Sequence, residues 1–260
     1  WMSMKLLILT TNGNLKLERF YIMKTYKDYI NNKNVALVGP AKYMHGLKLG
    51  NEIDNHDIVI RINRGIELVD TNQIDIGSKT DILYSCLIER PENAGKIDVN
   101  YWSKCGVKYI CAPPQSEMNG ISHKTEFGGM VDKNKMKKVS SKIPIRIVDC
   151  EFHTELAGHI NCRPNTGFLA IYDILKNNPK KLSLYGFSFY LDGFMDGCKS
   201  GVNVTQEQYV DKCFNSKRHI QENMWKYAKK TLFNNIQVNL DSVLKSILEL
   251  NSFSKEEFIR

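Results

Sequence analysis

The sequence predicts an α/β fold in which a mostly parallel sheet is flanked by helices. Short apolar runs alternate with longer amphipathic segments along the chain, as strands and helices do in such folds. Most of these runs are almost continuously apolar, which is typical of strands buried on both faces of a parallel sheet. The 260 residues are enough for one large domain of this kind.

Eight apolar runs are candidate strands. They lie at residues 5–10, 34–39, 57–63, 80–84, 107–112, 145–149, 182–187 and 236–240. Four amphipathic segments are candidate helices, and they lie at residues 15–30, 167–177, 206–232 and 241–250. We therefore expect a Rossmann-like sheet, with a βα extension over residues 1–33 and a single domain over residues 34–260. Residues 113–142 lack periodicity and are rich in glycine, serine, asparagine and lysine, so we expect a long loop there.

Composition and charge restrict the function only slightly. Hydrophobic residues make up 42% and charged residues 25% of the chain, as in an ordinary globular protein. The excess of 36 basic over 28 acidic residues gives a net charge of +8, which attracts anions without selecting among them. The stacking aromatic motifs of RNA-binding sheets are missing, so we expect no nucleic-acid partner. The longest apolar run near the start covers only residues 6–9, so we expect no membrane span in this chain.

The cysteines give a second constraint. The sequence contains seven, an odd number, and no C-x-x-C pair. This pattern argues against both a structural zinc site and a complete disulfide framework. We expect mostly reduced, buried thiols.

The first segment that carries chemistry lies at the ends of the second and third predicted strands. The second strand ends in the turn Gly39-Pro40-Ala41, and the third is followed by Asn63 and Arg64. Glycine lets backbone N–H groups approach a phosphate closely, and an asparagine amide can both donate to and accept from a nucleobase or ribose edge. Because ligands of parallel α/β sheets bind beyond the carboxyl ends of the strands, both turns belong to the candidate site.

Two polar residues in this segment are interpreted as structural. His56 directly precedes a buried strand, and we interpret it as a hydrogen-bonded core histidine rather than a catalytic one. Arg61 lies inside the apolar run, so we expect it to form a buried ion pair with Asp54 or Asp81.

The second segment lies at the start of the helix predicted over residues 167–177. Asn165 or Thr166 is expected to cap this helix, and Gly167 follows directly. A capped N-terminus presents unpaired N–H groups and the positive end of the helix dipole, which suits a phosphate or a carboxylate. The alternative is a plain capped helix without a ligand. The next predicted strand ends in a further turn, at Gly186, Phe187 and Ser188.

The two segments resemble the large and small sialyl motifs of glycosyltransferase family 29, the eukaryotic-type sialyltransferases. The residues that match the large motif in order and spacing are Gly39, Gly46, Gly50, Ile53, Asp54, His56, Arg61, Asn63, Asp75, Gly77, Lys79 and Thr80. The residues that match the small motif are Pro164, Thr166, Gly167, Tyr185, Gly186 and Phe187. The resemblance covers residues 34–230.

The resemblance implies a GT-A-like variant of the α/β fold and transfer of sialic acid from CMP-sialic acid to a glycan acceptor, with inversion. It implies no cofactor and no metal, in keeping with a donor that has one phosphate and with the absence of an Asp-x-Asp motif. The donor-binding residues that it implies are Gly39, Pro40, Ala41, Asn63, Arg64, Asn165, Thr166, Gly167, Gly186, Phe187 and Ser188.

The resemblance also implies a histidine as the general base. His219 is the only histidine after the small motif, and an imidazole suits the removal of a proton from an acceptor hydroxyl. Lys199, Lys217 and Arg218 are candidates for stabilising the phosphate of the departing nucleotide.

The chain departs from the family pattern at several points. Pro40 stands where the family has the asparagine of Gly-Asn-Ser, and His219 lies closer to Glu222 than the family spacing. The histidine-aromatic motif that follows the small motif is missing. The two positions of the family disulfide fall at Val35 and at 178–180, without a thiol. We therefore expect a reducing, cytoplasmic environment, or a Golgi-type lumen if an N-terminal anchor was removed.

Two other functions stay open. The nucleotide motifs do not distinguish sialic acid from another CMP-ulosonic acid such as Kdo. Pro40 and the missing histidine motif also fit a catalytically degenerate module that binds a CMP-sugar without turnover.

Overall fold

The computed structural model describes residues 2–9, 15–22, 24–114, 133–198, 201 and 203–258. Its centre is a seven-stranded sheet in the order β7-β6-β5-β4-β3-β8-β9, and every pair of neighbouring strands is parallel. The strands are β3 (Asn34–Val38), β4 (Ile58–Ile62), β5 (Ile82–Tyr84), β6 (Tyr109–Ala112), β7 (Ile145–Ile147), β8 (Lys181–Tyr185) and β9 (Val238–Leu240). The predicted parallel α/β fold is confirmed, and each of these strands overlaps a predicted one.

The helices connect the strands and cover both faces of the sheet. They are α1 (Tyr26–Ile30), α2 (Gly50–Asp54), α3 (Gln73–Ile76), α4 (Val99–Lys104), α5 (Lys133–Ser140), α6 (Cys150–Ile160), α7 (Thr166–Lys176), α8 (Gln206–Phe214), α9 (Gln221–Leu232) and α10 (Ser242–Glu249).

Alternate residues of the central strand β3 face opposite sides of the sheet. Val35 and Leu37 belong to a buried cluster that includes residues of α7, α9 and α10. Ala36 and Val38 belong to a second cluster, which includes residues of α2 and α3. A strand buried on both faces needs apolar residues at every position, which explains its unbroken apolar sequence.

The strand order creates a topological switch point. The chain proceeds outward from β3 through β4 to β7, then returns to form β8 on the other side of β3. The loops that follow β3 and β8 therefore leave the sheet in opposite directions and open a crevice between them.

The N-terminal region differs from the prediction. Strand β1 (Met2–Leu9) pairs antiparallel with β2 (Leu15–Ile22), so the first half of the helix predicted over residues 15–30 is wrong. Leu15 and Leu17 alternate with Lys16 and Glu18, and this period of two favours a strand. A helix begins only after Thr25, whose side chain forms a reciprocal capping box with Asp28.

The helix predicted over residues 206–232 is also wrong in part, because it is two helices. Helix α8 ends at Phe214 and α9 begins at Gln221. The intervening residues 215–220 form an irregular segment that contains His219. Within the predicted loop over residues 113–142, residues 115–132 lie outside the described residues and α5 occupies 133–140.

The predicted ion pair of Arg61 is replaced by bonds to neutral oxygens. The fully buried guanidinium donates to the hydroxyl of Thr80 at 2.9 Å and to the carbonyl oxygens of Ile76, Gly77 and Lys79 at 2.9–3.1 Å. Burial lowers the pKa of Arg61 to about 10. Arg61 therefore fixes the turn that leads into β5.

The carboxylates predicted to pair with Arg61 serve other donors. Asp54 accepts from the backbone N–H groups of Ser78 and Lys79, and Asp81 accepts from Val59 and Lys108. His56 is a structural histidine as predicted, since its Nε2 lies 2.9 Å from the hydroxyl of Ser183.

All seven cysteines are free, which confirms the prediction of free thiols. Only Cys111 and Cys198 are fully buried, so the prediction that most of the thiols are buried is wrong. Among the helices that the structure describes, none has the length and apolar character required to cross a bilayer.

Candidate functional site

A cavity of about 440 Å³ lies at the carboxyl edge of the sheet, around the switch point between β3 and β8. Most of the residues predicted for the site line it. These are Pro40, Ala41, Asn63, Arg64, Asn165, Thr166, Gly167, Gly186, Phe187, Ser188, Arg218 and His219. The predicted residues Gly39 and Lys217 do not line the cavity, and Lys199 lies outside the described residues.

Two glycines bring the ends of β3 and β8 into direct contact. A Cβ atom at Gly39 would collide with the carbonyl oxygen of Gly186, and a Cβ atom at Gly186 would collide with the carbonyl oxygen of Gly39. Gly186 also has a φ of +74°, which side chains other than glycine rarely adopt. Gly39 therefore shapes the site through this close approach, without facing the cavity itself.

The segment after β8 folds back across the loop after β3. Lys42 N–H donates to the carbonyl of Gly193 at 2.9 Å, and Met195 N–H donates to the carbonyl of Pro40 at 2.9 Å. Pro40 has no N–H group, so its contribution to this wall is its carbonyl oxygen. The two loops thus form one wall of the cavity.

Asn63 begins a 3₁₀ helix directly after β4 and adopts a left-handed φ of 45°. Its Oδ1 accepts from the N–H of Cys86 at 2.9 Å. This bond fixes the amide and leaves Nδ2 as the group available to donate to a ligand. The second lone pair of Oδ1 is still free to accept, so the prediction that Asn63 both donates and accepts at a ligand stays a prediction.

Arg64 lines the cavity, but its guanidinium is used within the protein. It pairs with Glu67 at 2.7 Å and donates to the carbonyl of Pro91 at 2.9 Å. Its exposed fraction is 5%. Arg64 therefore anchors the loop after β5 to the loop after β4.

The N-terminus of α7 opens into the cavity, as predicted. Asn165 is the capping residue, and its Oδ1 accepts from the N–H of Phe168 at 2.9 Å. A Cβ atom at Gly167 would lie 3.1 Å from side-chain atoms of Ile62 and Phe187, so glycine allows α7 to pack closely against these residues. The first N–H groups of the helix, at Thr166 and Gly167, are available to an anion.

His219 reaches the same cavity from the segment between α8 and α9. Its Nδ1 lies 2.8 Å from the carbonyl oxygen of Arg163, which can only accept, so Nδ1 carries the proton in the neutral ring. The lone pair is then on Nε2, for which no hydrogen-bond partner is found among the described residues. Burial and, to a lesser extent, the positive charges of Arg218 and Arg163 lower the pKa of His219 to about 4, against the opposing effect of the hydrogen bond to the Arg163 carbonyl. His219 is therefore neutral at pH 7 and able to accept a proton.

Glu222, the acidic residue closest after His219 in the sequence, does not support it. Its carboxylate pairs with Lys226 at 2.7 Å on the exposed side of α9. The carbonyl of Arg163 orients the imidazole instead.

Sequence reasoning missed two groups of residues at this site. Arg163, directly before the small motif, lines the cavity next to His219. Its position two residues before a helix cap was the available signal.

Asp241 and Tyr43 hold the turn after β8, since Asp241 accepts from Gly186 N–H at 2.9 Å and from the Tyr43 hydroxyl at 2.7 Å. No local pattern indicates this second contact, because it joins residues 198 positions apart.

Among the described residues, no group of three or more His, Cys, Asp or Glu side chains is placed to hold a metal ion. The charges around the cavity are mostly positive. Its basic residues are Arg64, Arg163, Lys212 and Arg218, and its one acidic residue among those described is Glu92.

The parallel sheet and the cavity at its switch point, with mostly positive charges in its lining, define an α/β protein with a Rossmann-like architecture. The model of glycosyltransferase family 29 (sialyltransferase) matches residues 18–193, more than half of the chain, and the protein belongs to this family. His219 lies beyond the matched residues.

Solved structures of sialyltransferases are similar to the chain. One is a mammalian sialyltransferase in complex with Gal-beta-1-3GalNAc-ortho-nitrophenol, with 17% identity and a TM-score of 0.46 over 83% of this chain and 71% of that one. Another is the sialyltransferase CstII from Campylobacter jejuni with the substrate analogue CMP-3FNeuAc, with 12% identity and a TM-score of 0.45 over 76% of this chain and 77% of that one. None of the curated proteins matches the chain significantly.

Proposed function

We propose that the protein transfers sialic acid from CMP-sialic acid to a hydroxyl group of a glycan acceptor, with inversion at the anomeric carbon. The observation that supports this most directly is that His219 lines the same cavity as both nucleotide-binding segments. A base and a donor site that share one cavity are what a single displacement requires.

In this mechanism Nε2 of His219 removes the proton from the acceptor hydroxyl as its oxygen attacks the anomeric carbon. The new C–O bond forms while the bond from that carbon to the phosphate oxygen breaks, and CMP leaves with the electron pair. The N–H groups of Thr166 and Gly167 at the start of α7 would stabilise the negative charge on the departing phosphate. Nδ2 of Asn63 would donate to the nucleoside.

The test is CMP release from CMP-sialic acid in the presence of a β-galactoside, with the parent protein and with His219→Gln. Loss of a general base typically costs about 10²- to 10⁴-fold, so we expect a decrease of at least about 100-fold in kcat. Glu222→Gln is the matched control, because Glu222 pairs with Lys226 outside the cavity and its loss should leave the rate within about twofold. Equal rates for the parent and His219→Gln would remove His219 as the base.

We also propose that the reaction needs no metal, because a CMP donor has a single phosphate and the chain has no Asp-x-Asp motif. Activity should be unchanged after incubation with EDTA and after addition of Mg²⁺ or Mn²⁺. A loss of activity with EDTA that is restored by one of these ions would refute this part of the mechanism.

Two alternatives have specific support. The motifs do not select sialic acid over Kdo, so a panel of CMP-sugars with a common acceptor identifies the donor by which one is consumed. Pro40, which supplies no side-chain amide to the site, favours a binding module without turnover. CMP binding without release from any donor would support that module and contradict the transferase.

A further inference from the structure

Arg163 lies between His219 and the N-terminus of α7, and its main chain contacts the segment that carries His219. Its N–H donates to the carbonyl of Arg218 at 3.1 Å, and its carbonyl accepts from Nδ1 of His219 at 2.8 Å. It is followed by Pro164 and by Asn165, the cap of α7. The base and the helix N-terminus are therefore both positioned by the backbone of this residue.

Unlike two other arginines of the chain, Arg163 has no acidic side chain paired with its guanidinium among the described residues. The guanidinium of Arg64 pairs with Glu67, and that of Arg146 pairs with Asp173. The partly buried guanidinium of Arg163 forms no hydrogen bond or ion pair with any residue that the structure describes.

The surroundings of Arg163 disfavour its positive charge. Burial and, to a lesser extent, the nearby positive charge of Arg218 lower the pKa of Arg163 to about 10, although Cys86 acts in the opposite direction. A partly buried cation without a counter-charge is costly, and a bound anion relieves that cost.

We propose that Arg163 binds an anionic group of the nucleotide-sugar donor, and that its positive charge, which lies next to His219, couples donor binding to the base strength of His219. This inference rests on the proposed function, and it specifies which residue binds the negatively charged group of the donor. The phosphate and the sugar carboxylate of CMP-sialic acid are both oxyanions that the planar guanidinium can bind through two parallel hydrogen bonds.

The coupling follows from electrostatics. The charges that act on His219 are those of Arg218, on its own segment, and of Arg163, on the segment before α7. An anion bound to Arg163 offsets one of these positive charges, so the pKa of His219 rises when the donor binds. The imidazole thus becomes a stronger base when a donor is present.

The binding test uses isothermal titration calorimetry with cytidine, CMP and the inert analogue CMP-3-fluorosialic acid. Arg163→Met removes the charge but keeps the backbone carbonyl that holds His219. We expect Arg163→Met to weaken the analogue by roughly 10- to 100-fold, the range expected for charge-assisted hydrogen bonds, and to leave cytidine unchanged. A matching loss for CMP assigns the contact to the phosphate, and an unchanged affinity for CMP assigns it to the carboxylate.

Two further variants control for charge and fold. Arg163→Lys should recover part of the affinity, because lysine keeps the charge without the planar fork. Lys104→Met removes one exposed positive charge at the end of α4, where the side chain does not line the cavity, and should bind all three ligands like the parent. Thermal unfolding of each variant identifies any general loss of structure. Equal affinities of the parent and Arg163→Met for all three ligands would overturn the proposal.

The coupling is measured separately, from the NMR titration of the His219 imidazole. In the parent the pKa should rise when CMP-3-fluorosialic acid is added, and in free Arg163→Met it should already lie above the parent value. Identical pKa values in the two free proteins would overturn the coupling.

If the parent binds the analogue but releases no CMP from any donor, the transferase function fails while the binding test of Arg163 remains decisive. If the parent binds none of the nucleotides, both fail.

Discussion

At the scale of single residues, the pKa of His219 should determine the pH dependence of the proposed transfer reaction in the donor-free protein. Its value of about 4 lies below the usual value of ~6.5, because burial and two neighbouring arginines disfavour the charged ring. Only the neutral imidazole accepts a proton. The proposed base should therefore stay active at acidic pH, where an ordinary histidine would be protonated and inactive.

We expect kcat/KM for the donor, which reports the free enzyme, to rise with pH through about 4 and to be flat with respect to His219 from about pH 5 to 8. The measurement is the initial rate of CMP release at low donor concentration, in buffers of constant ionic strength. Stability should be checked at each pH by preincubation. An acidic limb near pH ~6.5 in kcat/KM would show that the imidazole is more solvated than its burial indicates.

At the scale of elements, the start of α7 allows a direct choice between a plain capped helix and an anion site. Asn165→Ala removes the bond to the N–H of Phe168 and should lower the free energy of unfolding by about 1 kcal/mol. Asn165→Asp keeps the cap and suits the helix dipole, so stability should be retained.

The added carboxylate of Asn165→Asp would, however, repel the donor phosphate. We expect its affinity for CMP to fall by about 10-fold or more while cytidine binds normally. Urea unfolding and calorimetry separate the two effects. If Asn165→Asp binds CMP as tightly as the parent does, the helix N-terminus is only a cap.

The turn after β8 depends on a second element, α10. Asp241 caps α10 through the N–H of Leu244 at 2.7 Å, and its other oxygen accepts from Gly186 N–H and the Tyr43 hydroxyl. The Tyr43 oxygen in turn accepts from Phe187 N–H at 3.0 Å. One carboxylate thus holds the cavity-lining turn against both α10 and the loop after β3.

Tyr43→Phe should leave the N–H of Phe187 and one oxygen of Asp241 without this partner, at a cost of about 1–3 kcal/mol in unfolding free energy. Because the turn lines the cavity that we propose for the donor, we also expect a higher KM for the donor with kcat less affected. Tyr29→Phe is the matched control, since the hydroxyl of Tyr29 has no hydrogen bond among the described residues. A Tyr43→Phe variant with parental stability and KM would contradict this role.

The sequence predicts elements well where local patterns decide them. Continuous apolar runs predict the strands of the sheet, and Asn165 predicts the start of α7. The break between α8 and α9 cannot be predicted from the sequence, because the amphipathic segments on both sides of it have the pattern of one continuous helix. That break depends on contacts of residues 218 and 219 with Arg163, 55 and 56 positions away in the chain. The same reason explains why Arg163 and Asp241 were missed.

At the scale of the whole molecule, the sequence predicts a parallel sheet but not the order of its strands. The strand order depends on the side of β3 to which the chain returns, and no local sequence pattern indicates that side. The returning strand β8 creates the switch point, and the helix before it, α7, crosses one face of the sheet. A buried polar network attaches α7 to β5 and β7, two strands of the half of the sheet that the chain forms before it returns to β8.

The network centres on Asp173 of α7, whose exposed fraction is 0%. Its carboxylate pairs with both terminal nitrogens of Arg146 in β7, at 2.6 and 2.8 Å, and accepts from the hydroxyl of Tyr84 in β5 at 2.6 Å. Tyr26 of α1 bonds to Tyr84, and its ring lies 4.3 Å from the Arg146 guanidinium carbon. Three elements, α7, β7 and β5, therefore meet at one carboxylate, and α1 joins the network through Tyr84 and Arg146.

Removing one partner of this pair leaves the other charge buried. Arg146→Met and Asp173→Asn should each lower the unfolding free energy by about 3–5 kcal/mol, as measured by urea unfolding at pH 7. The double variant Arg146→Met/Asp173→Leu removes both charges, so it should be more stable than either single variant. Single variants that cost less than about 1 kcal/mol would show that water reaches Asp173 and screens the pair, and that α7 is held to the sheet by apolar packing alone.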